Sequence, residues 1–264
     1  MTYRALLLDF DGTLVNDRFE VHPRVEELLS ELRKSGVCIS LVTGKPYHGI
    51  VRDIVNRLNL TDPHVVSAGA LIISPKNEEI LFQKKIGTRN AKKAVDLLLQ
   101  RKYIFSVEQD NIIYISNESI TSGYGGKDIY KPVDTLMLKK PFKIYVASRH
   151  DKFQAEELYT DIEKIGGLEI IKFQTWKGFG CDITSRGVNK YSAVNEYRKL
   201  NKLQRSELVC VGDGLNDISM FNACGYKIAL SHAPDELKKH ADTVVDSLEG
   251  EVSTSLIKGL FKTG

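Results

Sequence analysis

Apolar residues in the N-terminal third form short continuous runs that alternate with a segment spaced for one face of a helix. The runs Tyr3–Leu8 and Val37–Val42 are typical of strands covered on both faces, and His64–Ser67 is a shorter run of the same kind. The predicted helix begins at Pro23 and ends at Gly36. Its apolar residues have helical spacing: Val25, Leu28, Leu29 and Leu32. Alternating strands and helices predict parallel βαβ units.

The C-terminal third repeats this alternation of strands and helices. Its predicted elements are a helix over Asn189–Leu200, a strand over Glu207–Val211, a helix after Gly214, strands over Tyr226–Leu230 and Thr243–Val245, and a closing helix with Val252, Leu256, Ile257 and Leu260 on one face. The two ends of the chain therefore predict the same type of sheet, with strands buried between helices.

The middle of the chain has a different pattern, in which apolar and polar residues alternate. Such alternation is typical of antiparallel strands with one wet face, and it occurs in Asn111–Ser116, Phe142–Ala147 and Leu168–Phe173. The second of these predicts one face of Phe142, Ile144 and Val146 and an opposite face of Lys143, Tyr145 and Ala147. Helices are predicted near Thr88–Arg101 and Asp151–Ile165, and loops over Ser122–Lys127 and Trp176–Gly180.

These two patterns predict an α/β fold, in which both ends of the chain form a doubly wound parallel sheet and an α+β module is inserted between them. We place the first part of the core at residues 1–83, the inserted module at 84–183 and the second part of the core at 184–264. The length of 264 residues agrees with two domains, since most domains have about 100–200 residues.

Charge and composition narrow the functional classes. Lys and Arg number 37 and Asp and Glu 34, so the net charge of +3 argues against a nucleic-acid-binding protein. No apolar run approaches the ~20 residues of a membrane span, and Asp9 interrupts the first run too early for a signal peptide. The four cysteines form no CxxC pair, which argues against a zinc site. We expect a cytoplasmic protein without a membrane partner.

The clearest candidate for chemistry is Asp9-Phe10-Asp11-Gly12-Thr13, which directly follows the first apolar run. Open α/β sheets bind ligands at the carboxyl ends of their strands. Carboxylates at i and i+2 of an extended chain point to one side, where they repel each other unless a proton or a cation lies between them. Oxygen ligands of this kind suit Mg²⁺. The alternative is an Asp-rich turn without function, but the position at a strand end favours a functional site.

A second acidic segment, Gly212-Asp213-Gly214-Leu215-Asn216-Asp217, follows another buried strand. Asp213 is placed to add a carboxylate to the same cation. Asn216 or Asp217 is also suited to capping the following helix, which is the purely structural interpretation. Two acidic strand ends in one α/β sheet favour a shared metal site.

Two further segments are candidates for phosphate binding. In Thr43-Gly44-Lys45-Pro46, a helix starting near Pro46 would direct free N–H groups and the positive helix end towards the strand tip, and the Thr43 hydroxyl would add a hydrogen bond. Ordinary capping by Thr43 explains this segment equally well. Lys190 begins a later helix and is either a solvated surface charge or a cationic partner for phosphate and carboxylates.

The order of these four motifs resembles that of the haloacid dehalogenase superfamily of phosphatases. The segment between Thr43 and Lys190 is similar in length to that of the Cof-like sugar phosphatases and the archaeal phosphoglycolate phosphatases, which carry a large inserted cap. The resemblance implies a Rossmann-like core with an α+β cap. It also implies hydrolysis of small phosphate monoesters of the sugar-phosphate or phosphoglycolate type, by a monomer or homodimer.

The resemblance further implies a role for each motif residue. Asp9 is the implied nucleophile, which forms an aspartyl-phosphate, and Asp11 the general acid and base. The implied phosphate-binding residues are Thr43, Gly44, Lys190 and Asn216, and the implied Mg²⁺-binding residues are Asp9, Asp11, Asp213 and Asp217. A phosphotransferase or hexose phosphomutase is one alternative function, and a non-catalytic sugar-phosphate-binding protein is another.

The chain departs from the usual pattern of this branch at three positions. Ala68 stands where Asn is common, Lys45 where Arg is common, and Tyr191 where Gly is common. These departures leave the chemistry in place but put the usual substrate preferences in doubt. Four residues of the cap are candidates for contacting the substrate, although each is also explained as a surface or packing residue: Lys127, Arg149, Trp176 and Lys177.

Overall fold

The computed structural model describes residues 3–124, 129–175 and 177–261. The strands are β1 Ala5–Leu8, β2 Cys38–Leu41, β3 His64–Val66, β4 Leu71–Ser74, β5 Glu79–Gln83, β6 Phe105–Gln109, β7 Ile112–Ile115, β8 Tyr130–Pro132, β9 Lys143–His150, β10 Leu168–Thr175, β11 Gly178–Ser185, β12 Leu208–Gly212, β13 Tyr226–Leu230 and β14 Thr243–Val245. The α-helices are α1 Pro23–Lys34, α2 Ile50–Arg57, α3 Thr88–Gln100, α4 Lys152–Ile165, α5 Lys190–Leu200, α6 Asp217–Phe221, α7 Asp235–Lys238 and α8 Glu251–Phe261.

The two ends of the chain form one parallel sheet with the strand order β14-β13-β12-β1-β2. In β1, Leu6 and Leu8 pack into an apolar cluster with α1, α2 and α8, whereas Ala5 and Leu7 pack into a second cluster with α5, α6 and α7. Helices therefore cover both faces of the sheet, which explains why its central strand is a continuous apolar run. The predicted α/β fold class is confirmed.

The second helix begins later than predicted. It starts at Ile50 rather than near Pro46, because the chain between them is held in a loop. The backbone N–H of Ser67 donates to the carbonyl oxygen of Lys45 over 2.8 Å, and Gly49 has φ 54° and ψ −127°, outside the helical region. The prediction that a helix end lies directly behind Thr43 is therefore wrong.

The middle of the chain forms a six-stranded sheet with the order β10-β11-β9-β6-β7-β8. Neighbouring strands are antiparallel except β7 and β8, which are parallel. Helices α3 and α4 pack on one face of this inserted sheet, where Ile144 and Val146 contact apolar residues of both helices in a third cluster. The alternating pattern thus correctly predicted the apolar face of β9.

The opposite face of the inserted sheet was predicted to lie in water, and this prediction is wrong. Lys143 is only 3% exposed and Asp182 only 6% exposed, although both belong to the polar face. This face covers the core, since a Cβ placed on Gly44 would lie 3.1 Å from Asp182 Oδ2. The polar residues of β9 and β11 therefore face a protein-lined space at the edge of the parallel sheet.

Several strands were missing from the predictions. Strands β4 and β5 join β3 in a small antiparallel sheet, while β6, β8 and β11 belong to the inserted sheet. Strand β6 alternates in polarity over its first four residues, Phe105 to Glu108, but it is buried on both faces and has no wet side. Strand β11 begins at Gly178, inside a segment predicted as a loop. Lys127 and Trp176 lie outside the described residues.

Three of the four residues predicted for the packed face of α8 do pack against the core, since Ile257 is buried in the cluster and Leu256 and Leu260 lie partly buried against it. Val252 is 79% exposed, whereas Ser253, Ile257 and Phe261 form the buried line. These three residues follow one another at intervals of four, which places them on one side of the helix. None of the described helices is long and apolar enough to cross a membrane.

Candidate active site

The predicted motif residues converge at the carboxyl edge of the parallel sheet. Asp9, Thr43 and Asp213 follow the neighbouring strands β1, β2 and β12. The ladder continues up to this edge, where Asp9 N–H donates to Val211 O over 3.0 Å and Val42 N–H donates to Leu8 O over 2.8 Å. Ends of adjacent parallel strands meet on one side, and the sheet therefore brings together residues that are far apart in sequence.

Three carboxylates form the centre of this edge. Asp9, Asp213 and Asp217 each offer one oxygen, and these oxygens lie within 4.8 Å of one another. Asp9 is 6% exposed and Asp217 is fully buried. Burial, followed by the charge of Asp217, raises the pKa of Asp9 well above its usual value and also raises the pKa of Asp213. The cluster thus concentrates more negative charge than the surrounding side chains neutralise.

Lys190 is buried between two of these carboxylates. Its Nζ donates to Asp9 Oδ1 over 2.5 Å and to Asp217 Oδ1 over 2.6 Å. Asn189 caps the helix and positions Lys190 at its first turn, since the Asn189 side chain accepts from the backbone of Ser192. Burial alone would lower the pKa of Lys190, but the charges of Asp217 and Asp9 outweigh it and raise that pKa. The predicted surface alternative for Lys190 is wrong.

Asp217 also organises the loop that carries Asp213. Its Oδ2 accepts the backbone N–H groups of Asp213 and Gly214 over 3.0 and 2.9 Å. Gly212 is needed beside it, because a Cβ there would lie 2.6 Å from the Asp217 carboxyl carbon. Asn216 is the N-cap residue of α6, yet neither its side chain nor that of Asp217 caps the helix. The capping alternative is therefore wrong, and Asn216 lines the cavity described below.

Asp11 does not join the carboxylate cluster. Its side chain is 54% exposed and pairs with Lys45, whose Nζ lies 3.3 Å from Asp11 Oδ1. The prediction assumed an extended chain through both aspartates, but β1 ends at Leu8 and a turn begins at Phe10, whose carbonyl oxygen accepts the backbone N–H groups of Leu14 and Val15 over 3.0 Å each. The Asp11 carboxylate is thus placed at the cavity beside the three clustered carboxylates and is not a fourth member of the cluster.

The loop after β2 contacts both the core and the inserted sheet. The Thr43 hydroxyl accepts the backbone N–H of Lys45 over 3.0 Å, and the Lys45 ammonium donates to the carbonyl oxygen of Gly123. Gly44 lies against Asp182 and lines the cavity. Thr43 itself is 1% exposed. This loop therefore lies between the carboxylate cluster and the polar face of the inserted sheet.

A cavity of about 940 Å³ opens between the two sheets, and we call it the active-site cavity. The core contributes Asp9, Asp11, Gly44, Asp213 and Asn216 among others. The inserted module contributes residues from four segments, namely Tyr124, Lys143, Tyr145, Phe173, Gln174, Thr175 and Asp182 among others. A half-open space of this size, with carboxylates at its core end, suits a small polar ligand.

Sequence reasoning missed several polar residues of this cavity, and three of them are charged or titratable groups with a bonded partner: His232, Lys143 and Asp182. His232 follows β13, and its Nε2 lies 3.2 Å from Asp213 Oδ2. The rule that strand ends carry function could have found it. Lys143 and Asp182 lie within strands, where the only signal was a charged residue on the supposed wet face.

The candidate cap residues that the structure describes do not reach the cavity. Arg149 and Lys177 are exposed, and neither is among the described residues that line it. Ala68 is buried with φ 57° in the turn after β3 and does not line it either. The departure at Ala68 therefore alters a buried turn, and the walls of the cavity come from other residues.

Comparison with known proteins agrees with this geometry. Residues 6–251 match the family described as haloacid dehalogenase-like hydrolase. The phosphatase YwpJ of Bacillus subtilis is 24% identical, with 91% of this chain and 94% of YwpJ covered. Phosphoglycolate phosphatase 1 of Saccharolobus solfataricus is 23% identical, with 98% of this chain and 97% of that protein covered.

The fold is shared with a solved structure described as the subclass IIB sugar phosphatase BT4131. The TM-score is 0.82 at 22% identity, and 97% of this chain and 99% of that chain are covered. The match to the family extends over nearly the whole length, through both parts of the core and the inserted sheet. The chain therefore belongs to the haloacid dehalogenase-like hydrolase family and is a phosphoric monoester hydrolase.

Proposed function

We propose that the protein is a Mg²⁺-dependent phosphatase that hydrolyses small phosphate monoesters through an aspartyl-phosphate on Asp9. The observation that carries this proposal is the buried Lys190 bonded to both Asp9 and Asp217, with Asp213 beside them. Three close carboxylates and one lysine leave a net negative charge at the strand ends. This excess does not stabilise the fold, because buried like charges repel. The same arrangement suits phosphoryl transfer, which depends on positioning and charge neutralisation.

Asp9 is the proposed nucleophile. One carboxylate oxygen attacks phosphorus, the bond from phosphorus to the ester oxygen breaks, and the leaving oxygen takes a proton from Asp11. Asp11 then removes a proton from a water molecule that attacks the aspartyl-phosphate, which releases phosphate and restores Asp9. Lys190 holds one Asp9 oxygen over 2.5 Å and favours the ionised form that the first step requires.

The residues at the site fit a magnesium ion. Asp9 Oδ2 makes no hydrogen bond within the described part of the chain, and no described donor reaches the carbonyl oxygen of Asp11. Asp213 lines the cavity next to them, with Oδ1 accepting the Thr13 hydroxyl over 2.9 Å and Oδ2 3.2 Å from His232 Nε2. Asp217 is fully buried behind the cavity wall, where its oxygens accept from Lys190 and two backbone N–H groups. We infer that Asp9, Asp213 and the Asp11 carbonyl hold the ion directly, and that Asp217 supports them. Bound Mg²⁺ would neutralise charge on the phosphoryl oxygens.

The remaining phosphoryl contacts come from the loops around Asp9. Gly44 and Asn216 line the active-site cavity, and Thr43 lies in the same loop as Gly44. Their hydroxyl, amide and backbone groups are the proposed ligands of the phosphoryl oxygens, together with Lys190. Asp11 lies at the cavity with its charge balanced by Lys45 at 3.3 Å, a position compatible with its proposed role as acid and base.

The inserted sheet is the proposed source of substrate selectivity. Its polar face forms one wall of the active-site cavity, so a leaving group attached to phosphate on Asp9 would extend towards it. The phosphoglycolate and sugar phosphatases among the similar proteins both bind small esters according to their names. We propose a substrate of one of these two types.

Phosphate release from a panel of esters tests the proposal. Activity should require Mg²⁺, disappear after exhaustive chelation and return when Mg²⁺ is restored. Acid-quenched protein should carry a phosphoryl group on Asp9, detectable by mass spectrometry of the peptide. Activity that survives complete removal of divalent cations would contradict the metal site. Transfer of phosphate to an added sugar in preference to water would support a phosphotransferase instead.

A further inference from the structure

A buried ion pair in the inserted sheet has no role in the chemistry at Asp9. Lys143 Nζ donates to Asp182 Oδ1 over 2.7 Å, and the two side chains are 4% and 8% exposed. The pair lies on the face of β9 and β11 that is turned away from helices α3 and α4. Isolated buried ion pairs often contribute little net stability, because desolvation offsets their attraction. A function at the cavity is therefore a better explanation than stability alone.

The pair lies directly against the loop that is proposed to bind phosphate. A Cβ on Gly44 would be 3.1 Å from Asp182 Oδ2 and 3.9 Å from Lys143 Nζ. Lys143, Asp182 and Gly44 all line the active-site cavity. A leaving group bound to phosphate at this loop therefore meets the pair within the first few atoms beyond the ester oxygen.

Every lysine among the described residues that line the cavity is already paired. Lys143 pairs with Asp182 and also lies opposite the buried Glu108 of β6, and Lys45 pairs with Asp11. Aromatic rings occupy the neighbouring wall, where Tyr145 and Phe173 are stacked with centroids 5.6 Å apart and planes 9° from parallel. The wall facing the leaving group is thus charge-balanced and partly aromatic, with no uncompensated cation among the described residues.

We propose that the Lys143–Asp182 pair selects phosphate esters whose leaving group is an uncharged polyol or sugar, and rejects those whose leaving group carries a carboxylate. The inference rests on the proposed function, because it assumes that the leaving group lies between Asp9 and the inserted sheet. Of the sugar-phosphate and phosphoglycolate types named above, the pair therefore favours the sugar-phosphate type, whose leaving group is uncharged.

The chemistry of the pair supports this choice. Asp182 Oδ2 makes no hydrogen bond to any described residue and is placed to accept one from a substrate hydroxyl. Lys143 has further N–H groups to donate to a second hydroxyl, and the stacked rings offer an apolar surface to the carbon-bound hydrogens of a sugar. A carboxylate would lie next to the Asp182 carboxylate without a free cation, and like charges at such a distance are strongly unfavourable.

Two esters that differ only in the relevant group test the proposal. In glycerol 3-phosphate the terminal carbon is a hydroxymethyl group, and in 3-phosphoglycerate it is a carboxylate. The quantity to compare is the ratio of kcat/KM for the first ester to that for the second. The wild type should favour glycerol 3-phosphate by roughly tenfold or more, the scale expected when one ester leaves a buried charge unpaired.

Asp182→Asn keeps the shape of the side chain but removes the carboxylate bonded to Lys143 at the cavity, and Glu108, which also interacts with Lys143, does not line the cavity. The ratio should then fall by about tenfold, because the freed ammonium attracts the carboxylate. Asp110→Asn is the matched control, since Asp110 pairs with Lys85 at 3.1 Å and is 67% exposed outside this cavity. Its ratio should equal that of the wild type.

A second variant covers the case in which Asp182→Asn does not fold. The double variant Lys143→Met with Asp182→Leu replaces the pair with apolar groups, which buried ion pairs often tolerate. Methyl phosphate is too short to reach the pair and serves as the reference ester. In the double variant, the ratio of kcat/KM for glycerol 3-phosphate to kcat/KM for methyl phosphate should fall about tenfold.

Unchanged ratios in a folded, active Asp182→Asn variant or in the double variant would overturn the inference, as would a wild type that prefers 3-phosphoglycerate. Failure of the wild type to release phosphate from any of the three esters, methyl phosphate included, would refute the proposed function together with the inference. The two failures are therefore distinguishable.

Discussion

Two buried lysines, one in the core and one in the inserted sheet, are bonded to carboxylates at opposite parts of the same site. Lys190 contacts two carboxylates with a third beside them, whereas Lys143 contacts only Asp182. The core arrangement is left with surplus negative charge and is completed by a cation and a phosphoryl group. In the inserted sheet, Lys143 is bonded to Asp182 and lies opposite the buried Glu108, so this arrangement has no spare cation. This difference indicates that the core carries the chemistry and the inserted sheet recognises uncharged groups.

The largest expected effect is the loss of turnover when the nucleophile of the core is removed. Asp9→Asn should lower kcat by roughly 10⁴-fold or more, the scale seen when a nucleophile is removed. The amide cannot form the aspartyl-phosphate, although phosphate esters should still bind, which isothermal titration calorimetry with Mg²⁺ would detect. Asp96→Asn, an exposed position on α3, is the control and should retain full turnover. Near-normal turnover in Asp9→Asn would rule out the covalent route.

The free energy of unfolding allows the two buried lysines to be compared directly. Lys190→Met should lower the free energy of unfolding by about 3–5 kcal/mol, because it leaves two buried carboxylates without their cation. Lys143→Met should cost less, since only Asp182 loses a bonded partner and Glu108 loses a more distant positive charge. Urea unfolding at pH 7 without divalent cations measures both values. An equal or larger loss in Lys143→Met would show that the inserted sheet depends on its ion pair as strongly as the core does.

Removal of the proposed general acid should have a smaller effect than removal of the nucleophile. Asp11→Asn should slow turnover by roughly a hundredfold, the usual scale for general acid–base catalysis. The loss should be smaller for an ester with a good leaving group, such as 4-nitrophenyl phosphate, because that leaving oxygen needs less protonation. A steady-state comparison with methyl phosphate tests this, and equal losses for the two esters would argue against proton donation by Asp11.

The smallest expected effect is a loss of folding stability at acid pH, which should arise from His64 in the core. Burial lowers the pKa of His64 from about 6.5 to about 3, and its Nδ1 accepts the backbone N–H of Leu41 over 3.2 Å. The folded state therefore binds fewer protons than the unfolded chain below pH 6.5, and stability falls as the pH falls towards 3.

Between pH 7 and pH 5.5 this histidine should contribute a loss of roughly 1 kcal/mol, measured by urea unfolding. His64→Gln should remove this part of the pH dependence, while the exposed His240→Gln should not. An identical pH dependence in His64→Gln and the wild type would contradict the assignment.

Elements of the fold were predictable where the residues that determine them lie within the element itself. Helix α1 was predicted from the spacing of its buried residues and from Pro23 at its first turn, all of which lie within the helix. Strand β6 was not predicted although its first four residues alternate in polarity, and its local pattern does not show that Glu108 is buried, where Ser67 Oγ donates to it from the core. The start of α2 also depends on a residue outside the helix, because the backbone N–H of Ser67 donates a hydrogen bond to the carbonyl oxygen of Lys45.

The sequence by itself determined which side chains stand at the ends of the parallel strands. An apolar run followed by Asp places a carboxylate at the carboxyl edge of a sheet, and this was enough to select Asp9 and Asp213. Only the tertiary structure decided that Asp11 turns towards Lys45, that His232 joins Asp213, and that the polar face of β9 is a cavity wall. The physical reason is that a polar residue on a strand has the same local pattern whether its face meets water or another domain, and only the packing of the inserted sheet on the core distinguishes the two.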